Sequence, residues 1–209
     1  MATSIETLPA GMMLLTGANS GLGAAFATRM LNLSTTPYYL FPVRNPADPS
    51  CQLLAQRVGT PMQRGAVVAL DLSSLASIRS FAEDINMQVA SKAIPRIRTL
   101  FLNAATLPWN GMPFGKDGYE LTFSVNYLAS FLLVLLLLES MDRDGSRIIL
   151  VTSAAVHSEI FRKAGLASQV ENFVHPEIAA NPVRESGDDT VGASLRRYTL
   201  SKVMGLAFM

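Results

Sequence analysis

Apolar residues fall into five short runs separated by longer stretches with helical spacing. The runs are Met12–Thr16, Tyr38–Val43, Val67–Leu70, Thr99–Leu102 and Ile148–Thr152. They show little polar alternation, which is how strands read when both faces of a sheet are covered. Between the first two, Leu22, Ala25, Phe26, Met30 and Leu33 recur at the period of a helix. Ser74 reads as the N-cap of a second helix reaching Val89, with Leu75, Ile78, Phe81 and Ile85 on one side. A long third helix is predicted from about Tyr119 to Met141. Strands alternating with helices predict an α/β fold, a doubly wound parallel sheet in three layers joined by right-handed crossovers. Pro42 lies in the second strand and has no N–H to give a ladder, so it is expected to mark that strand's frayed end.

From His157 to Arg197 this pattern fails. Gly165, Pro176, Pro182, Gly187 and Gly192 interrupt it, and the segment reads as a long loop insert within one domain covering residues 1–209. Connections of that length serve as lids, binding loops or disordered insertions. Phe161, Leu166 and Phe173 are its candidates for lining a lid over an apolar small molecule. His157 and His175 lack metal-ligand spacing and read as loop residues. There is no internal repeat.

Composition narrows the class. A chain of 209 residues can bury one good core, and 49% hydrophobic with 16% charged residues excludes a disordered chain. A net charge of +1 gives nucleic acid no electrostatic footing as a partner. One cysteine, Cys51, allows no internal disulfide and suits a reducing, cytoplasmic location; it reads as an apolar filler on a helix. Met1–Gly11 lacks the basic-then-apolar pattern of a secretory leader. The most hydrophobic run, Phe131–Leu138, falls well short of the about 20 residues that cross a bilayer. A buried helix is therefore expected there and no transmembrane segment, with peripheral membrane association left open.

Thr16-Gly17-Ala18-Asn19-Ser20-Gly21-Leu22-Gly23 joins the first strand to the first helix. Gly17 permits a tight turn, Gly21 lets backbone approach a pyrophosphate, and Gly23 allows close helix–strand packing. The helix N-terminus adds amide donors and the positive end of its dipole. Glycines here could also serve the turn alone. Much further on, Tyr198 and Lys202 are four residues apart and share one face of a helix.

The spacing T-G-x-x-x-G-x-G, together with Tyr198-x-x-x-Lys202, resembles the short-chain dehydrogenase/reductase family, whose sheet is of the Rossmann type. Asn103-Ala104-Ala105 is similar to the family's N-A-G motif, with alanine at the glycine position and Leu102 where asparagine is common. The likeness covers about Met12–Met209 outside the insert. Arg44-Asn45, the N-A-A run and the long gap before Tyr198 look most like the retinol dehydrogenase and protochlorophyllide reductase branch.

The resemblance implies an oxidoreductase that interconverts a carbonyl and an alcohol on a small, apolar molecule. It makes Tyr198 the general acid for reduction, or base in the reverse direction. Lys202 supplies a field that favours phenolate and binds the nicotinamide ribose. Ser153 hydrogen-bonds the substrate oxygen, by the count along the fifth strand; the count back from His157 points to Ala154 instead. Asn126 matches the asparagine that holds a water beside the lysine, and could equally be structural.

Thr16, Gly17, Asn19, Ser20, Gly21, Leu22, Gly23, Asp71, Leu72, Asn103 and Ala104 are the implied nucleotide contacts, with Tyr198 and Lys202. Asp71 matches the acid that meets adenine, or else caps a helix. After the second strand, where an acid would hold a ribose hydroxyl, stands Arg44; the nearest acid, Asp48, lies beyond the strand. A guanidinium suits a 2′-phosphate, which favours NADP(H) over NAD(H).

Family members continue past the Tyr–Lys helix with further strands and helices, so the chain is expected to lack the last strands and to turn over little. A nucleotide-binding protein of weak or no activity on the same scaffold is the alternative. A methyltransferase also uses a glycine-rich first turn but leaves the Tyr–Lys pair and Arg44 unexplained. Pairing through the long helix and the Tyr–Lys helix, common in the family, would make a homodimer.

Overall fold

The sheet is built on β1 (Met12–Leu15), a strand buried along most of its length. Parallel to it on one side runs β2 (Tyr38–Val43), with Met12 opposite Tyr38 and Leu14 opposite Leu40. On the other side runs β5 (Ile97–Leu102), with Leu15 opposite Phe101. β4 (Gln63–Ala69) lies parallel to β2, and the two-residue β3 (Gly59–Thr60) folds back antiparallel on β4. With β6 (Arg147–Leu150) at the other edge, the order is β3-β4-β2-β1-β5-β6. Leaving out the short β3, the chain winds outward from β1 in both directions, which is the Rossmann-type α/β arrangement. The computed structural model describes residues 10–32, 37–60, 63–156, 175–183 and 190–208.

Helices follow the strands as expected. α1 (Gly21–Leu31) follows β1, and α2 (Pro49–Val58) is capped by Asp48, whose carboxylate accepts from Ser50 N–H, with Pro49 in the first turn. Cys51 is buried on α2 as anticipated. α3 (Leu75–Ala90) has Ser74 as its cap, the Oγ accepting from Ser77 N–H at 3.3 Å. Ile78, Phe81 and Ile85 are buried on it. On α1 the buried residues are Gly23, Ala27, Met30 and Leu31, whereas Leu22 is 65% exposed beside the turn. Of the expected stripe, Met30 is buried and Phe26 packs against the core, whereas Leu22 and Ala25 face out.

Several strand limits differ from expectation, and only β2 keeps both of its expected ends. β4 begins at Gln63 and β5 at Ile97, because Arg64 and Arg98 hide their starts from an apolar pattern. β6 ends at Leu150 rather than Thr152, since the Val151 carbonyl accepts from the Lys202 ammonium at 2.9 Å. Pro42 is not at a frayed end. It is buried in β2 opposite Val68, and its carbonyl accepts from Gly17 N–H at 3.3 Å, so the strand continues through it with one donor fewer.

The long third helix is α4 (Leu121–Ser140), a 20-residue run. It is not uniform: Ser124–Leu128 forms a π turn and Leu138–Ser140 a 3-10 turn. By length and composition it could cross a bilayer, but half of it is buried, Phe123, Leu133 and Leu137 among the buried residues. The interval 157–197 is helical where described, apart from short connections: α5 (Pro176–Ala180) lies within it and α6 (Val191–Phe208) begins inside it. His175 stands exposed at the N-cap position of α5, and its side chain makes no cap bond there. His157, Phe161, Leu166 and Phe173 lie outside the described residues, as does Leu33.

Contacts cluster in two compact units. One comprises residues up to Leu70, Ser80–Asn103 and Leu136–Ile149; the other Asp71–Arg79, Ala104–Leu135 and the residues from Leu150 on. The first holds the sheet and a core of Leu15, Ala27, Leu31, Tyr39 and Phe41, where the Tyr39 hydroxyl donates to Met30 O at 2.8 Å. The second has a core of Phe123, Ala180, Leu200 and Met204, with Tyr119, Tyr127 and Leu128 packed against it.

Candidate functional site

In the sheet unit the strand order reverses at β1, between β2 and β5. Such a switch point opens a crevice at the carboxyl ends of the strands. The turn at 16–23 leaves β1 at that point, and its shape is set by close backbone approach. Gly17 and Gly21 have φ of 68° and 50°. A Cβ on Gly23 would lie 2.0 Å from Gly17 O, so only glycine lets α1 start there. Asn103, just past β5, ties the crevice together. Its N–H donates to Thr16 Oγ1 at 3.0 Å, and its side-chain amide donates to Thr16 O at 3.0 Å and Gly17 O at 3.4 Å. Thr16 is thus a structural pin of the turn.

Ser20 occupies the N-cap of α1 but its hydroxyl makes no cap bond, and nothing lies within 4 Å of a Cβ on Gly21. The helix start is therefore open to an anion, as a dinucleotide diphosphate requires. Asn19 turns the other way and donates to Ser50 Oγ at 3.0 Å, while Ser50 Oγ donates to Asp48 at 2.6 Å. Arg44 is exposed after β2. Hydrogen bonds from Ser50, and then the Arg44 charge, hold the Asp48 carboxyl below its ordinary range. A ribose phosphate at this corner would meet Arg44 with Asp48 already engaged by Ser50.

The remaining predicted residues lie in the second unit. Lys202 is buried, and its ammonium donates to Val151 O while lying 5.7 Å from the centroid of the Tyr198 ring. Burial pushes the Lys202 ammonium down to about 8. Its charge sits over the phenol face, a cation–π geometry. Tyr198 is half-buried. Ser153 is half-buried between β6 and a 3-10 turn at Ala154–Val156 that packs on α6; Ala154 is exposed and has no hydroxyl to offer.

Asn126 lies in the π turn of α4, and its amide is committed to protein. Its Oδ1 accepts from Thr106 N–H at 2.7 Å, and its Nδ2 donates to Thr106 O and to Ser201 Oγ, both at 3.0 Å. Ser201 Oγ in turn donates to Tyr198 O at 2.7 Å. Asn126 therefore ties the segment after β5 to the turn of helix that carries Tyr198. π turns are frequent at functional sites.

Asp71 opens α3. It accepts from Ser73 N–H and Oγ and pairs with Lys116 at 2.9 Å. Burial raises this carboxyl, but Lys116 and Ser73 outweigh burial and leave it lowered. Leu72 and Ala104 are half-buried. Sequence reasoning passed over Ser201, Thr106 and Val151; Ser201 alone carried a signal, at i+3 from Tyr198 and next to Lys202. Among the described residues no His, Cys, Asp and Glu group could hold a metal ion.

The model of short chain dehydrogenases matches residues 11–165, which include the turn, Asn103 and Ser153. The chain belongs to that family. A short-chain dehydrogenase of Talaromyces variabilis is 40% identical over 143 residues, 66% of this chain and 39% of that protein. Human retinol dehydrogenase 11 is 30% identical over 208 residues, 91% of this chain and 62% of that one. The chloroplastic protochlorophyllide reductase A of Arabidopsis thaliana is 32% identical over 153 residues, 71% of this chain and 36% of that one. The chain thus spans less than two thirds of the length of these short-chain dehydrogenase relatives. The NADPH-bound carbonyl reductase from chicken fatty liver superposes with a TM-score of 0.60 at 20% identity, over 95% of this chain and 71% of that one, a likeness of fold.

Proposed function

We propose that this short-chain dehydrogenase is an NADP(H)-dependent oxidoreductase acting on the CH–OH or C=O group of a small, apolar molecule. The observation that carries this reading is the buried Lys202 ammonium over the Tyr198 ring, in a chain whose first turn has an uncapped helix start. When bound, the nicotinamide supplies or accepts the hydride. The turn's backbone at Gly17, Gly21 and Leu22, with Asn103 holding its shape, receives the diphosphate. Arg44 receives the 2′-phosphate. Relatives of this fold bound to NADP or NADPH support that preference.

In the reducing direction the Tyr198 hydroxyl gives its proton to the oxygen that gains charge, and in the oxidising direction the phenolate takes it back. The Lys202 ammonium favours the phenolate by its charge. The Ser153 hydroxyl donates to the same substrate oxygen, lowering the cost of charge there. A reducing, cytoplasmic setting fits the buried thiol of Cys51. The exposed Leu135 and Leu138 of α4 are where a homodimer would pair, which sizing in solution checks.

Titration with NADPH and NADH, read by nicotinamide fluorescence and followed by turnover of a carbonyl panel, tests the reading. NADPH is expected to bind the more tightly. Tyr198→Phe is expected to cut turnover roughly 10²–10⁴-fold while leaving NADPH binding within about twofold. Binding without turnover reduces the assignment to nucleotide binding, and failure to bind either nucleotide removes it.

A further inference from the structure

Glu120 is 2% exposed, and it is the most deeply buried acidic side chain among the described residues. Its Oε2 accepts from Phe123 N–H at 2.6 Å and so caps α4, while its own N–H donates to Ala180 O at 2.7 Å. Its Oε1 is buried with no hydrogen-bond donor among the described residues. Among the described residues the cation paired with it is Arg197, whose Nε is 3.7 Å away and whose side chain is only 14% exposed. Burying two charges is expensive, and a cap alone needs no arginine. Serine or aspartate on the surface would cap α4 as well.

The position of Arg197 suggests what the pair is for. It immediately precedes Tyr198, and its Nη2 donates to Gly111 O at 2.8 Å and Ser194 Oγ at 3.3 Å. Ser194, Arg197 and Ser201 fall at i, i+3 and i+7 of α6, so they form one stripe, and Ser194 and Ser201 are fully buried. Asn126 grips this stripe through Ser201, on the C-terminal side of Tyr198. The Arg197 fork grips it on the N-terminal side. The phenol is bracketed.

We propose that Glu120 and Arg197 are positioning residues that set the angle of α6 and so the placement of the Tyr198 phenol. Glu120 orients the guanidinium by charge, and the guanidinium fork fastens the helix to the segment at Gly111. Neither group touches the reacting atoms. This inference rests on the oxidoreductase reading above, in which Tyr198 moves the proton.

Arg197→Lys tests it, since lysine keeps the charge beside Tyr198 and loses the planar fork. In the protein carrying NADPH, kcat is expected to fall about tenfold or more with KM for NADPH held within about twofold, because misplacement of a reacting group costs rate rather than binding. Glu120→Gln keeps an acceptor for Phe123 N–H and is expected to show the same split more weakly. The double variant should be no worse than Arg197→Lys alone, as both break one link.

A second readout needs no turnover. In protein labelled with 3-fluorotyrosine, the fluorine line assigned through Tyr198→Phe should shift or broaden in Arg197→Lys, with the lines of Tyr38 and Tyr39 unmoved. Losses that multiply in the double variant, or a Tyr198 line indifferent to Arg197→Lys, overturn the positioning role. An unsubstituted protein that binds NADPH without turnover removes the oxidoreductase reading instead, and the fluorine line still decides whether the clamp exists.

Discussion

In the sheet unit the turn at 16–23 is shaped by close main-chain approach at its glycines, with the Asn103 side chain pinning its first two residues. In the helical unit Tyr198 and Lys202 are held by side chains: Asn126 through Ser201, Lys202 through Val151, Arg197 through Gly111. The contrast follows from the task. A turn that receives a diphosphate must present bare N–H groups, so bulk is the threat and glycine the remedy. A phenol and an ammonium must be aimed, and aiming needs directional partners on neighbouring elements. The first design fails by steric collision, the second by loss of individual hydrogen bonds.

The largest effect is expected where collision is unavoidable. Gly23→Ala puts a methyl against Gly17 O and should cost about 3 kcal/mol or more by chemical denaturation, with NADPH binding lost. Gly65→Ala, which meets Tyr39 O at 2.1 Å in the sheet, should cost stability comparably. A Gly23→Ala protein that binds NADPH normally would break the distinction drawn between the units.

Next comes Lys202, through pH. Burial brings its ammonium down to about 8 in the folded protein, against 10.5 for a free lysine. Above the unfolded value both states are neutral; as pH falls through that window the unfolded chain takes the proton more readily, and stability is lost. Relative to Lys202→Met, the unsubstituted protein should therefore gain about 2–3 kcal/mol as pH rises from about 8 to about 10.5, measured by denaturation at each pH. A flat difference would mean that the lysine is well hydrated.

Asn126→Ala should cost about 2 kcal/mol, because Thr106 N–H and C=O lose their partners in a buried setting. Unlike Gly23→Ala, it should leave NADPH binding within about threefold and fall mainly on turnover. The smallest effect is at the exposed edge. Arg44→Ala should lower the preference for NADPH over NADH by roughly tenfold, about 1.4 kcal/mol, with no change in thermal stability.

Much of this was legible in the residues. All five apolar runs became strands, the second with both its ends as expected and the fifth without its last two residues, where the Val151 carbonyl takes the Lys202 contact. The cap at Ser74, the helix carrying Cys51 and the Tyr–Lys face needed nothing beyond local spacing. Pro42 misled because proline is judged by its missing donor. Its carbonyl still accepts from Gly17 and its neighbours still pair with β4, so one absent donor does not end the strand. The stripe on α1 misled because Leu22 looks like core until its place at the mouth of the turn is known. Asn126 was left between two roles, and its partners Thr106 and Ser201 lie 20 and 75 residues away along the chain.

Periodicity and glycine placement act within a few residues, through backbone sterics and side-chain direction, so the alternation of elements and the shape of the first turn were settled by the order of amino acids. The partners of Asn126, Glu120, Arg197 and Lys202 were settled only by folding. A buried polar group takes whichever complementary atom packing brings within about 3 Å, and that atom can come from anywhere in the chain.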